Sequence, residues 1–166
     1  MPAAEVVRVL HALRESGIDV CVDGGWAVDA ALGEQTRLHA DLDLVGAASD
    51  HAATITALAP LGYLPAEDDR PIRFVLRAPG GRAIDFHTVT FDAEGGGLQP
   101  QPDGSLFRYP PEGFGGNGTI DGEPVKCLSA EFQLLCHSGY EPDEDDRRDM
   151  RLLAARFGLK LPPSLA

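Results

Sequence analysis

Val6, Val9, Leu10 and Leu13 recur at the i, i+3, i+4, i+7 spacing of one helix face, and Gly17 behind them suits the left-handed position at which helices stop. The stretch IDVCVD then alternates apolar and polar residues, the period of a half-buried strand. After Gly24 and Gly25, the apolar positions Val28, Ala31 and Leu32 predict a short helix ending at Gly33, and DLDLVG predicts a second strand. Ser49 is placed to cap a helix running to about Leu61. IRFVLRAPGGRAIDFHTV reads as a hairpin, two strands joined by a Pro-Gly-Gly turn. Residues 94–118 are rich in Gly and Pro, carry little periodicity and are expected to form a loop. GTIDGEPVKCLS predicts a further strand pair, Ser129 caps a helix through His137, and Met150, Leu153, Ala154 and Phe157 mark a last amphipathic helix ending near Gly158.

The resulting order, αβαβαββ, loop, ββαα, is that of an α+β fold in which helices pack on a mixed β-sheet. No repeat or linker divides it, so residues 1–166 are expected to form a single domain, with the helices from about 129 completing one side of the site. A net charge of −12 repels phosphate backbones and argues against a nucleic acid polymer as partner, while favouring a cationic small molecule. Cys21, Cys127 and Cys136 lie in apolar contexts without CxxC spacing and are expected to be reduced core residues. With no signal-like segment and no apolar run long enough to span a bilayer, the sequence predicts a cytoplasmic protein with no membrane partner.

The candidate chemistry lies where the strand pattern is broken by charge. Asp41 and Asp43 are i and i+2 on one strand, so both point to one face, about 6 to 7 Å apart, with Leu42 and Leu44 facing away. At an effective dielectric of about 20 two such charges repel by about 2 to 3 kcal/mol. Asp85 interrupts another apolar strand and can join them. Three convergent carboxylates form a hard oxygen site suited to Mg²⁺, although a bare D-x-D also fits the solvated face of an exposed strand. Gly24 and Gly25 end one strand and open a helix, so their amides can approach a phosphate, or they can simply make a tight turn.

These residues resemble a known family. The hG[GS]…DhD arrangement with a later Asp is similar to the polymerase-β-like nucleotidyltransferase superfamily, and GGWAVDAALGEQTRLHADLDL resembles its small antibiotic nucleotidyltransferases, which act on lincosamides and aminoglycosides. GTIDGEPVKCLSAEFQLLCHSGYEPDEDDRRDM resembles their C-terminal part, so that the resemblance covers roughly residues 4–157. The fifteen residues between Gly25 and Asp41 exceed the general superfamily spacing and match this branch. The resemblance implies a nucleotidyltransferase fold, ATP or another NTP as co-substrate, Mg²⁺ held by Asp41, Asp43 and Asp85, Asp85 as proton acceptor, and a homodimer. It implies nucleotide binding by Gly24, Gly25, Arg37 and His39. Arg37 can equally bridge to Asp29, and an exposed loop position is the commoner setting for a histidine such as His39.

On the acceptor side, GYEPDEDDRRDM holds six acidic residues from Glu141 to Asp149 against two arginines. Glu141 and Asp145 are the candidates to contact the amine of a cationic acceptor, against the alternative that a charged first turn serves only the helix dipole. Tyr140 can stack on a sugar or close the joint between two helices, and Trp26 reads as core rather than site. Three other functions compete. A binuclear phosphohydrolase would use His39, Asp41, Asp43, Asp85 and His87, a regulatory or antitoxin-like nucleotidyltransferase would act on a protein, and a biosynthetic enzyme would adenylylate an amino sugar.

Overall fold

The computed structural model describes residues 1–165. Helix α1 (Ala3–Glu15) buries Val6, Val9, Leu10 and Leu13, as its spacing requires, and Gly17 follows it at φ 73°. Strand β1 (Val20–Asp23) runs directly into α2 (Gly24–Leu32), which Gly33 ends in the left-handed region. Strand β2 (Asp41–Ala47) leads to α3 (His51–Leu58), then β3 (Leu64–Asp69), β4 (Arg73–Ala78) and β5 (Arg82–Phe91). Strands β6 (Gly97–Pro100), β7 (Leu106–Tyr109), β8 (Gly116–Ile120) and β9 (Glu123–Cys127) follow, and α4 (Ala130–His137) and α5 (Glu144–Phe157) complete the fold.

The main sheet has the order β3-β4-β5-β2-β1-β9-β8, with β6 paired to the end of β5 and β7 to β6. The pairs β2/β5 and β1/β9 are parallel and the rest antiparallel. This is the mixed α+β sheet that the pattern predicts. One face buries Val22, Leu42, Leu44, Phe74, Leu76, Ile84 and Phe86 against α1, α2 and α3. The opposite face is divided along its strands: Asp23, Asp43 and Asp85 stand at one end, while Cys21, Val45 and Val89 pack under Tyr109, Leu128 and Phe132 at the other. Period-two alternation places both sets on the same side.

Three expectations need correction. Ser49 does not cap the third helix: it lies in a 3₁₀ turn, Ala48–Asp50, its hydroxyl donates to Asp50 at 3.1 Å, and α3 runs only from His51 to Leu58 before a second 3₁₀ turn. The stretch 94–118 is not wholly loop, since β6, β7 and the start of β8 fall within it. Strand β3 was not predicted because LPAEDD is almost entirely exposed and has no apolar face; its charges and Pro65 suit a sheet edge. By contrast, Ser129 accepts from the Phe132 amide as the cap of α4. None of the three cysteines is in a disulfide, and no helix among the described residues is long and apolar enough to cross a membrane.

Helix α2 is seated on β8 at Gly118, where a Cβ would overlap the Ala30 carbonyl. Backbone cannot move aside as a flexible side chain can. Gly118→Ala is therefore expected to cost about 1–3 kcal/mol, lowering the thermal midpoint by about 2–4 °C per kcal/mol; an unchanged melting curve would show that α2 can slide.

Candidate active site

Parallel pairing of β2 with β5 sets Asp43 opposite Asp85, and antiparallel pairing of β1 with β2 sets Asp23 opposite Asp43. Three carboxylates thus stand in one row across adjacent strands, about 4.8 Å apart by strand spacing. Asp41 lies on the same face as Asp43, nearer the rim and exposed. Ligand atoms of Asp43, Asp85 and His87 all fall within 4.8 Å of one another. Burial, followed by the charges of Asp23, Asp41 and Asp85, raises the Asp43 carboxyl well above its ordinary range, with only Arg37 acting in the opposite sense. Arg73 donates to Asp85 Oδ2 at 2.7 Å, while the buried Oδ1 of Asp85 has no hydrogen-bond partner among the described residues. A crowded carboxylate, Asp43, beside one with an unused oxygen, Asp85, is a setting that a divalent cation relieves, and the oxygen donors suit Mg²⁺.

Asp23 was not among the residues the sequence pointed to. Its Oδ1 accepts from the Gly24 amide at 2.7 Å, and an Asp before two glycines at a strand end reads simply as a helix cap. The glycines are fixed by close approach. Gly24, at φ 59°, is where a Cβ would overlap Asp43, and a Cβ on Gly25 would lie 2.5 Å from His39 Nδ1 and 2.6 Å from Arg37 Nη2. Whatever else they bind, these two positions must be bare for the carboxylate row and the 34–40 loop to fit.

His39 is buried rather than exposed. Its Nε2 bonds to Asp29, and its ring lies 4.6 Å from that of Trp26. Asp29 also accepts from the Thr36 amide at 3.0 Å and hydroxyl at 2.7 Å; burial opposes its ionisation, but the His39 and Thr36 bonds outweigh it and lower its pKa. The alternative bridge from Arg37 to Asp29 is therefore not formed. Arg37 reaches instead to Asp149, by Nε at 3.0 Å and Nη2 at 2.9 Å. Trp26 is core, as expected, and also lines the cleft.

The cleft, about 300 Å³, is lined on one side by Asp23, Gly24, Gly25, Arg37, His39, Asp41, Asp43 and His87, and on the other by Cys136, His137, Tyr140, Asp146 and Asp149. Glu141 and Asp145 are not among its lining residues. The Glu141 side chain is 92% exposed and pairs with Arg147 at 2.9 Å, while Asp145 lies 3.6 Å from Arg37. Periodicity shows why: acids one turn apart on α5, Asp146 and Asp149, face inward, while their neighbours face solvent. Asp143 and Asp146 also form a capping box at the start of α5. His137 Nδ1 lies 2.9 Å from the Gln133 carbonyl, so it carries the proton there, and Nε2 faces Asp146 Oδ1 at 3.5 Å. With Nδ1 as the donor, Nε2 of the neutral ring and Asp146 Oδ1 are both acceptors, and no hydrogen-bond donor bridges them among the described residues. The five residues of the phosphohydrolase reading do not assemble, since His39 is committed to Asp29.

A model of the family described as aminoglycoside-2''-adenylyltransferase matches residues 5–153. A lincosamide resistance protein of Staphylococcus haemolyticus is 30% identical over 149 residues, covering 90% of this chain and 92% of that protein. A 2''-aminoglycoside nucleotidyltransferase of Escherichia coli is 30% identical over 134 residues, covering 75% and 66% respectively. Among solved structures, the lincomycin-bound lincosamide antibiotic adenylyltransferase LnuA superposes with a TM-score of 0.81 at 28% identity, covering 92% of this chain and 96% of that one.

The crowding of Asp43 has a pH signature. Its carboxyl is raised in the folded state, so folding retains a proton that the unfolded chain loses above about pH 4, and stability falls as pH rises through that window. In metal-free protein, Asp43→Asn is expected to raise the thermal midpoint at pH 7 and to leave it nearly unchanged at pH 3, while weakening Mg²⁺ binding. Equal shifts at both pH values would mean that electrostatic crowding is not the cause.

Proposed function

Because the chain belongs to the aminoglycoside-2''-adenylyltransferase family and is an adenylyltransferase, we propose that it transfers AMP from ATP to a hydroxyl of a small cationic antibiotic, releasing pyrophosphate. The observation that carries this reading is the in-register pair Asp43 and Asp85, of which Asp43 lines a cleft whose walls bear a basic guanidinium on one side and acidic groups on the other. Lincosamides are the first acceptors to test, since the chain spans 92% of the lincosamide relative and 66% of the aminoglycoside one. The ATP requirement and the unpaired cysteines suit the cytoplasm.

Asp41, Asp43 and Asp85 would hold Mg²⁺, which when bound neutralises charge on phosphoryl oxygens and acidifies a nearby hydroxyl. The chain's own groups do the rest. Arg73 holds Oδ2 of Asp85 and so leaves Oδ1 to accept the proton of the attacking hydroxyl. Arg37, beside the Gly24–Gly25 turn, supplies positive charge for the triphosphate, and the amides of that turn and the N-terminus of α2 favour the same anion. His39, locked by Asp29 and packed against the Trp26 ring, fixes the loop that carries Arg37. On the opposite wall an ammonium or hydroxyl of the acceptor would donate to both His137 Nε2 and Asp146, with Asp23 facing it from the sheet and Tyr140 as an exposed platform.

The test is incubation with Mg²⁺, each of the four nucleoside triphosphates, and panels of lincosamides and aminoglycosides. The expected result is an acceptor heavier by one AMP residue, with stoichiometric pyrophosphate. Folded Asp85→Asn is expected to lose about 10²–10³-fold in turnover, the scale of removing one preorganised group, with nearly unchanged ATP affinity. Acceptor-independent phosphoester hydrolysis would instead support the phosphohydrolase reading, and modification of a protein alone would support the regulatory one.

A further inference from the structure

Helix α5 is tied to the loop before β2 across 112 residues of sequence. Besides the two bonds from Arg37 to Asp149, Arg148 Nη2 donates to the Thr36 carbonyl at 2.7 Å. Both Arg37 bonds end on one oxygen, Oδ2. The Asp149 side chain is 3% exposed, and its other oxygen, Oδ1, is buried without a partner among the described residues. Burial raises the Asp149 carboxyl despite the arginine beside it. A carboxylate so placed is costly for folding, since half its hydrogen-bonding capacity is desolvated and unused.

What this arrangement secures is the place of the guanidinium. Arg37 lies against Gly25, at the first turn of α2, where the helix dipole repels a cation. Without a buried anion behind it, such an arginine would swing to solvent. Asp149 grips the Nε–Nη2 edge, while Nη1 meets only the Leu38 carbonyl at 3.3 Å and the largely exposed Asp145 at 3.6 Å. Nη2 is the nitrogen that lies against Gly25, and with one of its two hydrogens on Asp149 the other is left for a ligand.

We propose that Asp149 is a positioning residue for nucleotide binding: by clamping Nε and Nη2 of Arg37 it holds Nη2 beside the Gly24–Gly25 turn, where a triphosphate would lie, making the grip on ATP dependent on helix α5. The proposal rests on reading Arg37 as a phosphate ligand. Asp149 is one turn from Asp146, which lines the acceptor wall, so a single helix borders both substrates.

The test measures Kd for ATP with Mg²⁺ and for adenosine, by calorimetry, in wild type, Asp149→Asn, Arg37→Gln and the double variant, with thermal melts as a check on folding. Asp149→Asn is expected to weaken ATP by about tenfold, in line with loss of a charge-assisted contact, while adenosine binds as in wild type. The Asp149 effect is expected to vanish when Arg37 is already Gln. If Asp149→Asn does not fold, Asp149→Glu keeps the charge but displaces the guanidinium and is expected to show the same split. Unchanged ATP affinity, or equal weakening of ATP and adenosine, overturns the proposal alone. Unchanged ATP affinity in Arg37→Gln overturns the phosphate reading of Arg37 and the proposal with it.

Discussion

Repulsion among aspartates held in register is the constraint around which the rest of the molecule is arranged. Asp23, Asp43 and Asp85 occupy neighbouring strands at matched positions, and at an effective dielectric of about 20 each adjacent pair opposes folding by about 3 kcal/mol when ionised. Strand pairing fixes the backbone positions of all three, and only Asp85 has an arginine of the sheet, Arg73, paired directly with it. The opposing stabilisation comes from the other face, where Leu42, Leu44, Ile84 and Phe86 are fully buried under the helices. The strands that carry the charges are thus the strands most firmly anchored by their apolar side chains.

Around that row the positive groups are few and each is held in place. Arg73 binds Asp85 and is itself flanked by Glu67 and Asp69. Arg37 is held by Asp149, and His39 by Asp29. None of these cations forms a direct ion pair with Asp43, the most crowded carboxylate, whose surplus negative charge stays turned toward the cleft. A divalent ion and a polyphosphate together would balance such an arrangement, because each alone leaves one sign of charge in excess.

Much of this was legible in the chain. Alternation in DLDLVG was enough to place Asp41 and Asp43 on a common face and, in RAIDFHTV, to mark Asp85 as a candidate to join them, because strand parity is a local property. The glycine pair, the cap at Ser129 and the stop at Gly33 were legible for the same reason. What the chain did not disclose were relations set by pairing between distant elements. Asp23 joins the row only through the antiparallel register with β2, and Asp149 meets Arg37 only because α5 folds back over the loop. The six acids from Glu141 to Asp149 look alike in sequence; helix rotation selects Asp146 and Asp149 of α5 for the interior, while Glu141 lies upstream of the helix in solvent. Strand β3 was silent because an exposed edge needs no apolar period, and β6 and β7 were masked by the Gly and Pro that their turns require.

Strand β5 belongs to two neighbourhoods. Its first residues pair with β2 and β4 and bear Asp85 and His87, whereas Thr90 and Phe91 pair with β6, outside the path of the main sheet. The alignment of Asp43 with Asp85 is therefore fixed by pairings in which the β6–β7 ribbon takes no part. No residue of the ribbon lines the cleft, so its length and sequence can drift through evolution independently of the walls around the aspartates.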